Sequence, residues 1–314
     1  MKLENYLLSI DPKIKIFGAS KELKKLHNKN KSIMINILKD KSHISSYYNW
    51  ISGKTPISLE KILKLRYIDD KIVENIFREC NTFSVGEKKC KLPKDMTNEL
   101  SYLIGALHGD GSLHKNKKYI AVTGESERYL EDVLNPLFKN IFEVKCGLSK
   151  FKGKKYYYRI TVGSKVIQSF LSIFCPIGKK KGKLKIPKII RNKKSFLLSY
   201  LSGLFDTDGC LTHAEKGRKQ LYFTFLQSDK KFVLDVYKSL INLKLRINHP
   251  YRFMSPKKPG ELSRDLIEWR LYIGSKKDLS NFLKKINFLH PDKKMRAELI
   301  LNKIQRQGQD IQLR

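Results

Sequence analysis

The chain has 314 residues, 41% hydrophobic and 30% charged, which excludes a disordered polymer and leaves room for two or three domains with hydrophobic cores. Its 64 Lys and Arg outnumber 30 Asp and Glu, a formal net charge of +34 that favours a polyanionic partner. Nucleic acid ranks first, because neutralised phosphates release condensed counterions; no apolar stretch approaches the ~20 residues that span a bilayer, so no membrane partner is expected.

Residues 1–10 carry Lys2 and Glu4 and lack the apolar centre of a signal peptide. A cytoplasmic (nucleoid) or organellar location is expected. Residues 42–51 read as a short helix stopped by Gly53, and a second helix starts near Pro56 with Ser58 as its cap. Trp50, Gly53 and Lys54, with Ile57, Leu59 and Ile62 behind them, resemble phage-repressor-like helix-turn-helix domains. The resemblance implies a helix in the major groove, with Ser45, Ser46 and Asn49 as candidate DNA contacts. The alternative is a small helical bundle with Trp50 in its core. Either way residues 1–95 are expected to form a small helical N-terminal domain, and 88–94, with Pro93, its linker.

From about residue 98 the chain repeats itself. Residues 101–111 match 199–209 at an offset of 98, and Arg159, Gly163 and Ser164 match Arg270, Gly274 and Ser275 at an offset of 111. The second copy therefore holds about 13 extra residues, expected near 255–263. Helices are expected to start at Ser126 and Ser228, and short strands at 119–123 and 221–226. Residues 156–162 and 268–273 alternate. Tyr158, Ile160 and Val162, like Trp269, Leu271 and Ile273, share one face, leaving Arg159, Thr161, Arg270 and Tyr272 on the other. Each copy, 96–192 and 193–314, should thus be an α+β unit whose sheet has one apolar and one basic, open face.

The first helix of each copy carries small residues at every fourth position: Ser101, Gly105 and Gly109, then Ser199, Gly203 and Thr207. Residues four apart share a helix face, so two such stripes permit close helix packing about a pseudo-two-fold axis. Asp110 and Asp208 end these helices, each followed by a glycine, Gly111 or Gly209, expected as a left-handed terminator. A single Asp-Gly pair is ordinarily a turn signal. Two at equivalent helix ends place carboxylates where the helix dipole is already negative, and a divalent cation would relieve the conflict.

Residues 103–111 and 201–209 resemble the paired motifs of LAGLIDADG homing endonucleases, the second closely and the first departing at Ile104, Ala106, His108 and Gly109. The resemblance spans roughly 98–305. It implies two pseudosymmetric αββαββα units forming a DNA-binding saddle, and a monomer that cuts both strands of a long, pseudo-palindromic duplex site across the minor groove, leaving short 3′ overhangs. It also implies Mg²⁺, with Mn²⁺ substituting, held by Asp110, Asp208 and the backbone carbonyls of Gly109 and Thr207. The family places a basic residue late in each repeat. The repeat alignment pairs Lys183 with Lys294 for that catalytic role, with Lys185 and Lys293 as competitors. Glu125 and Gln227, at matching strand ends, are candidates for positioning water.

Other classes on this fold are an intron RNA maturase and a non-cleaving DNA-binding regulator. Retention of both acids argues against the regulator, and the absence of a His-Asn pair in 308–314 argues against an intein. The five cysteines, Cys80, Cys90, Cys146, Cys175 and Cys210, lack paired zinc spacing and read as reduced core thiols.

Overall fold

The computed structural model describes residues 10–38, 44–86, 88–114, 119–153, 156–212, 220–255 and 266–312. The first nine residues, the expected helix start at Ser42, and most of the expected insertion, residues 256–265, lie outside them.

The N-terminal region holds α1 (Ser20–Leu38), α2 (Ile44–Ser52), α3 (Leu59–Lys64) and α4 (Ile72–Glu79). Gly53 adopts φ +82° and ends α2 as expected. The region is not purely helical, however. Four short strands, β1 (Lys15–Ile16), β2 (Ile57–Ser58), β3 (Thr82–Ser84) and β4 (Lys89–Lys91), form an antiparallel sheet in the order β2-β1-β3-β4. Strands of two or three residues are too short for alternation to register in a sequence. The expected linker is therefore partly sheet: Cys90 and Leu92 point inward and are buried. The region also packs onto the first repeat. The Asp11 amide donates to Ser169 Oγ at 2.8 Å, and Lys91 pairs with Glu143. One continuous hydrophobic core runs from Ile10 to Ile300.

The first repeat runs α5 (Asn98–Gly109), β5 (Gly111–Leu113), β6 (Ile120–Gly124), α6 (Glu127–Tyr129), a π turn (Leu130–Leu134), α7 (Asn135–Phe142), β7 (Gly147–Lys152), β8 (Tyr156–Val162) and α8 (Lys165–Leu171). A short α9 (Lys188–Arg191) leads to the second: α10 (Lys194–Asp208), β9 (Gly209–Leu211), β10 (Phe223–Gln227), α11 (Lys230–Asn242), β11 (Tyr251–Ser255), β12 (Leu266–Ile273), α12 (Lys276–Lys285) and α13 (Pro291–Gln312). Each is αββαββα, with sheets ordered β5-β6-β8-β7 and β9-β10-β12-β11, all antiparallel. Local signals recur between copies. Ser164 Oγ caps α8 at the Ile167 amide and Ser275 Oγ caps α12 at the Asp278 amide, both at 3.3 Å. The cap of α11 is Asp229, one residue beyond the expected Ser228.

The sheet faces divide as the alternation requires. Ile160, Val162, Leu271 and Ile273 are buried beneath helices, while Arg159 is exposed on the opposite face. Helices α5 and α10 cross through the middle of the molecule, buried along nearly their whole length. At the crossing a Cβ on Gly105 would overlap the Tyr200 carbonyl oxygen, and one on Gly203 would overlap that of Tyr102. The reciprocity of these contacts is the pseudo-two-fold symmetry in atomic form. Of the cysteines, Cys80, Cys90, Cys146 and Cys175 are buried, but Cys210 is exposed, because it takes the outward place between the buried Gly209 and Leu211 on β9.

Candidate catalytic centre at the paired helix ends

Helices α5 and α10 stay in contact to their C-terminal ends. A Cβ on Gly109 would overlap Thr207 Oγ1 and lie 3.3 Å from the carboxyl carbon of Asp208. Asp110 caps α5 and Asp208 is the last residue of α10, so the small-residue stripes bring two acids to one junction. The following glycines serve a different end from the one expected. Neither Gly111 nor Gly209 has positive φ. A Cβ on Gly111 would meet the Leu107 backbone, and one on Gly209 the Phe205 carbonyl and the Phe223 ring, so tight strand–helix packing demands the glycine.

Two lysines neutralise the junction. Lys180 Nζ donates to the carbonyl oxygens of His108, at 3.1 Å, and Gly109. Lys293 Nζ donates to those of Phe205 (2.9 Å), Asp206 (2.7 Å), Thr207 (3.2 Å) and Gly209 (2.7 Å). Each ammonium thus caps the electronegative end of one motif helix. Lost hydration pushes Asp208 up to about 6, with the Asp110 charge adding to it and Gln227, Lys180 and Lys293 opposing. Asp110 also titrates above the usual carboxylate range through lost hydration, opposed by both lysines. Lys180 and Lys293 are held below their ordinary value by burial, against the pull of the acids.

Among the described residues, the lysines paired by the repeat alignment make no hydrogen bond at the junction, where Lys180 and Lys293 do. Lys183 and Lys294 are exposed. Lys294 lies about 100° around α13 from Lys293, which faces inward. Lys183 follows Lys180 through a turn, its amide donating to the Lys180 carbonyl at 2.9 Å. Lys293 was legible as a competitor; Lys180 was not, because no periodicity reports side-chain direction in an irregular segment.

Gln227 Nε2 donates to Asp208 Oδ2. Its partner in the first repeat is not Glu125. The ladders set Gln227 opposite Trp269 and Gly124 opposite Tyr158, so strand register makes Gly124 the equivalent residue. Gly124 has open space where a side chain would stand, and a cavity of about 450 Å³ lies there, lined by Asp110, Glu125, Tyr129, Asp206, His290 and Lys293 among others.

A second polar layer lies two residues back from the acids. The buried His108 ring has Nδ1 2.7 Å from the Tyr200 hydroxyl and Nε2 3.0 Å from the Phe174 carbonyl oxygen. In the other copy the buried Asp206 accepts from the Tyr102 hydroxyl and the Leu289 amide.

The remaining candidates lie apart from this junction. Arg159, Thr161, Arg270 and Tyr272 sit on the open sheet faces. Ser45, Ser46 and Asn49 lie on α2, Ser45 exposed and the others half-buried. Among the described residues, no helix is long and apolar enough to cross a membrane.

Residues 195–287 match the family model of the LAGLIDADG-like domain. A glutamine–fructose-6-phosphate aminotransferase (isomerizing) from Methanocaldococcus jannaschii is 28% identical over 220 residues, which cover 68% of this chain and 18% of that protein. The chain thus spans under a fifth of that relative's length. Solved structures similar to it include the homing endonuclease I-WcaI bound to its DNA recognition sequence, at 19% identity and TM-score 0.45 over 64% of this chain and 85% of that one. Full-length DUF199/WhiA from Thermatoga maritima is 20% identical with TM-score 0.44, over 71% of this chain and 68% of that one. The family match falls on the second repeat, and the first repeat shares its αββαββα order and antiparallel sheet topology.

Proposed function

We propose that the chain is a monomeric, metal-dependent endonuclease that cuts both strands of a long duplex DNA site, with Asp110 and Asp208 as its catalytic acids. The observation that carries this reading is the junction itself: two acids, one from each repeat, end paired helices that touch at Gly109 and Thr207, and the Asp110 charge helps to raise Asp208. Both carboxyls titrate high because burial strips their hydration, and at Asp208 the Asp110 charge adds to the rise. The donor set suits a hard cation, since carboxylates and the carbonyl oxygens of Gly109 and Thr207 are the oxygen ligands Mg²⁺ takes. Those carbonyls already attract ammonium groups. Among the described residues no cluster of three or more His, Cys, Asp or Glu side chains could hold a metal ion. Waters and DNA phosphates would therefore complete the shell, as is usual for Mg²⁺. A bound divalent ion supplies an activated water and stabilises the leaving oxygen of phosphodiester hydrolysis. The chain's own part is to hold the acids, through Gln227 on Asp208, and to place Lys180 and Lys293 where negative charge develops.

The test uses the full chain, Mg²⁺ and a plasmid library carrying random inserts, with the cut ends sequenced. Specific double-strand ends from the native chain, lost in Asp110→Asn and Asp208→Asn while DNA binding persists, are expected. Undiminished cutting by both variants would refute the assignment.

A second reading is a non-cleaving DNA-binding protein, and one observation favours it: Lys180 and Lys293 already occupy the helix-end carbonyls. If they serve as permanent counter-ions, Mg²⁺ will neither bind the junction nor promote cutting. Isothermal titration with Mg²⁺ in the presence of duplex DNA separates the two.

A further inference from the structure

Arg159 and Arg270 hold repeat-equivalent places on the open faces of the two sheets, and each is fixed by a stacked ring and a threonine hydroxyl, Thr123 standing directly opposite Arg159 and Thr224 two residues from Leu226, which stands opposite Arg270. The Arg159 guanidinium lies 5.0 Å over the Phe151 ring, and its Nε donates to Thr123 Oγ1 at 3.2 Å. The Arg270 guanidinium lies 4.9 Å over Phe253 and 5.3 Å from Tyr272, and its Nε donates to Thr224 Oγ1 at 2.9 Å. The two platforms are themselves equivalent, since Phe151 stands opposite Tyr157 in one ladder and Phe253 opposite Glu268 in the other. Each arginine therefore reaches over three strands, from a phenylalanine on one neighbour to a threonine on the other.

The arrangement uses up Nε and leaves both terminal nitrogens without a partner among the described residues. A guanidinium stacked on a ring and tethered at Nε has lost much of its rotamer freedom before any ligand arrives. What it offers is a rigid pair of parallel N–H donors. On the major-groove edge of a base pair, guanine alone presents two adjacent acceptors, O6 and N7, that match such a pair. A phosphate also accepts two N–H bonds, but it needs no such fixing, and this chain has 64 Lys and Arg with which to meet phosphates.

We propose that Arg159 and Arg270 are guanine readers, one in each half of the DNA site and, by the pseudo-two-fold, on opposite strands. The proposal rests on the DNA-binding reading above but not on cleavage. It makes these two arginines the specificity determinants at one matched position per half-site.

The experiment is a selection of bound duplexes from a random-sequence library by the full chain in EDTA, repeated with Arg159→Lys, Arg270→Lys and Phe151→Leu. Lysine keeps the charge and loses the paired donors. The native chain should enrich a site with one guanine in each half, related by two-fold symmetry. Arg159→Lys should erase the preference at one of these positions, by roughly ten- to a hundredfold in relative affinity, and Arg270→Lys at the other. Phe151→Leu should weaken the Arg159 position alone, with thermal melting of each variant reporting its fold. If both lysine variants enrich the native site unchanged, or weaken all duplexes evenly with a shallower salt dependence, the arginines contact phosphates and the proposal fails. If the native chain enriches nothing and binds no duplex, the DNA-binding reading falls first and takes this one with it.

Discussion

The Tyr102 hydroxyl donates to Asp206 Oδ2 at 2.6 Å, tying the first motif helix to the second beside the junction of Asp110 and Asp208. The pseudo-two-fold mate of this bond is the 2.7 Å contact between Tyr200 and His108. The two tyrosines are repeat equivalents, but their partners titrate in opposite senses. One half buries an acid and the other a base.

Opposite titration gives the first prediction. Burial pushes Asp206 up to about 6 from its ordinary 3.8, against the hydrogen bond from Tyr102. Between those values the folded chain keeps a proton that the unfolded chain has lost, so the Asp206 contribution to stability falls as pH rises. Burial pushes His108 down to about 4 from 6.5, against its bond to Phe174. There the unfolded chain holds the extra proton, so the His108 contribution rises with pH. The two largely cancel in the native chain. Relative to it, Asp206→Asn should gain stability between pH 4 and pH 7, and His108→Gln should lose it. Each change is at most ~3 kcal/mol. Urea unfolding across that range reads both, and parallel curves for all three proteins would contradict the account.

The lysines give the second. Lys293 satisfies four helix-end carbonyls and also faces Asp206, Asp110 and Asp208. Removing a buried cation from such a set costs about 3–5 kcal/mol. Lys293→Met should lower the melting temperature sharply, whereas the exposed Lys294→Met should stay within ~0.5 kcal/mol of the native chain. In a cleavage assay Lys180→Met should be impaired and Lys183→Met should not. The reverse ranking would restore the pairing drawn from the repeat alignment.

The helix crossing gives the third. Gly105→Ala and Gly203→Ala each drive a methyl group into a partner carbonyl. Because helix backbones cannot yield as a side-chain tip can, either variant should lose more than ~3 kcal/mol, beyond the usual cost of overpacking. At Gly124, where a Cβ meets nothing within 4 Å, alanine should leave stability unchanged. Thermal melts of the three variants suffice, and equal melting temperatures would mean the helices do not cross at these glycines.

These glycines also mark what was legible in the chain. Repetition amplified every signal that occurred twice: the stripes through Gly105 and Gly203, the acids Asp110 and Asp208, the alternation around Arg159 and Arg270. Where a feature hangs on register or direction, repetition misled. Counting along the chain paired Glu125 with Gln227, but the ladder pairs Gly124 with it. Counting likewise paired Lys183 with Lys294, while the residues that arrive at the junction are Lys180 and Lys293. The N-terminal sheet escaped notice because Ile16, Ile57 and Phe83 are buried on strands of two or three residues.

Under the proposed endonuclease reading, strand register bears on the order of cutting. Gln227 holds Asp208 and lowers its affinity for a proton, while Gly124 leaves Asp110 without a matching amide and with a cavity beside it. Two acids held so differently should not act at the same rate. With each strand labelled at its own 5′ end, a nicked intermediate should accumulate before the linear product. Gln227→Ala frees Asp208 and raises its proton affinity further. The strand that depends on Asp208 should then slow, most at pH 6 and least at pH 8, since the carboxylate must be ionised to serve. The other strand should hold its rate, and the nicked fraction should grow. Equal slowing of both strands would mean that the amide supports the junction as a whole, and the asymmetry between Gly124 and Gln227 would carry no kinetic weight.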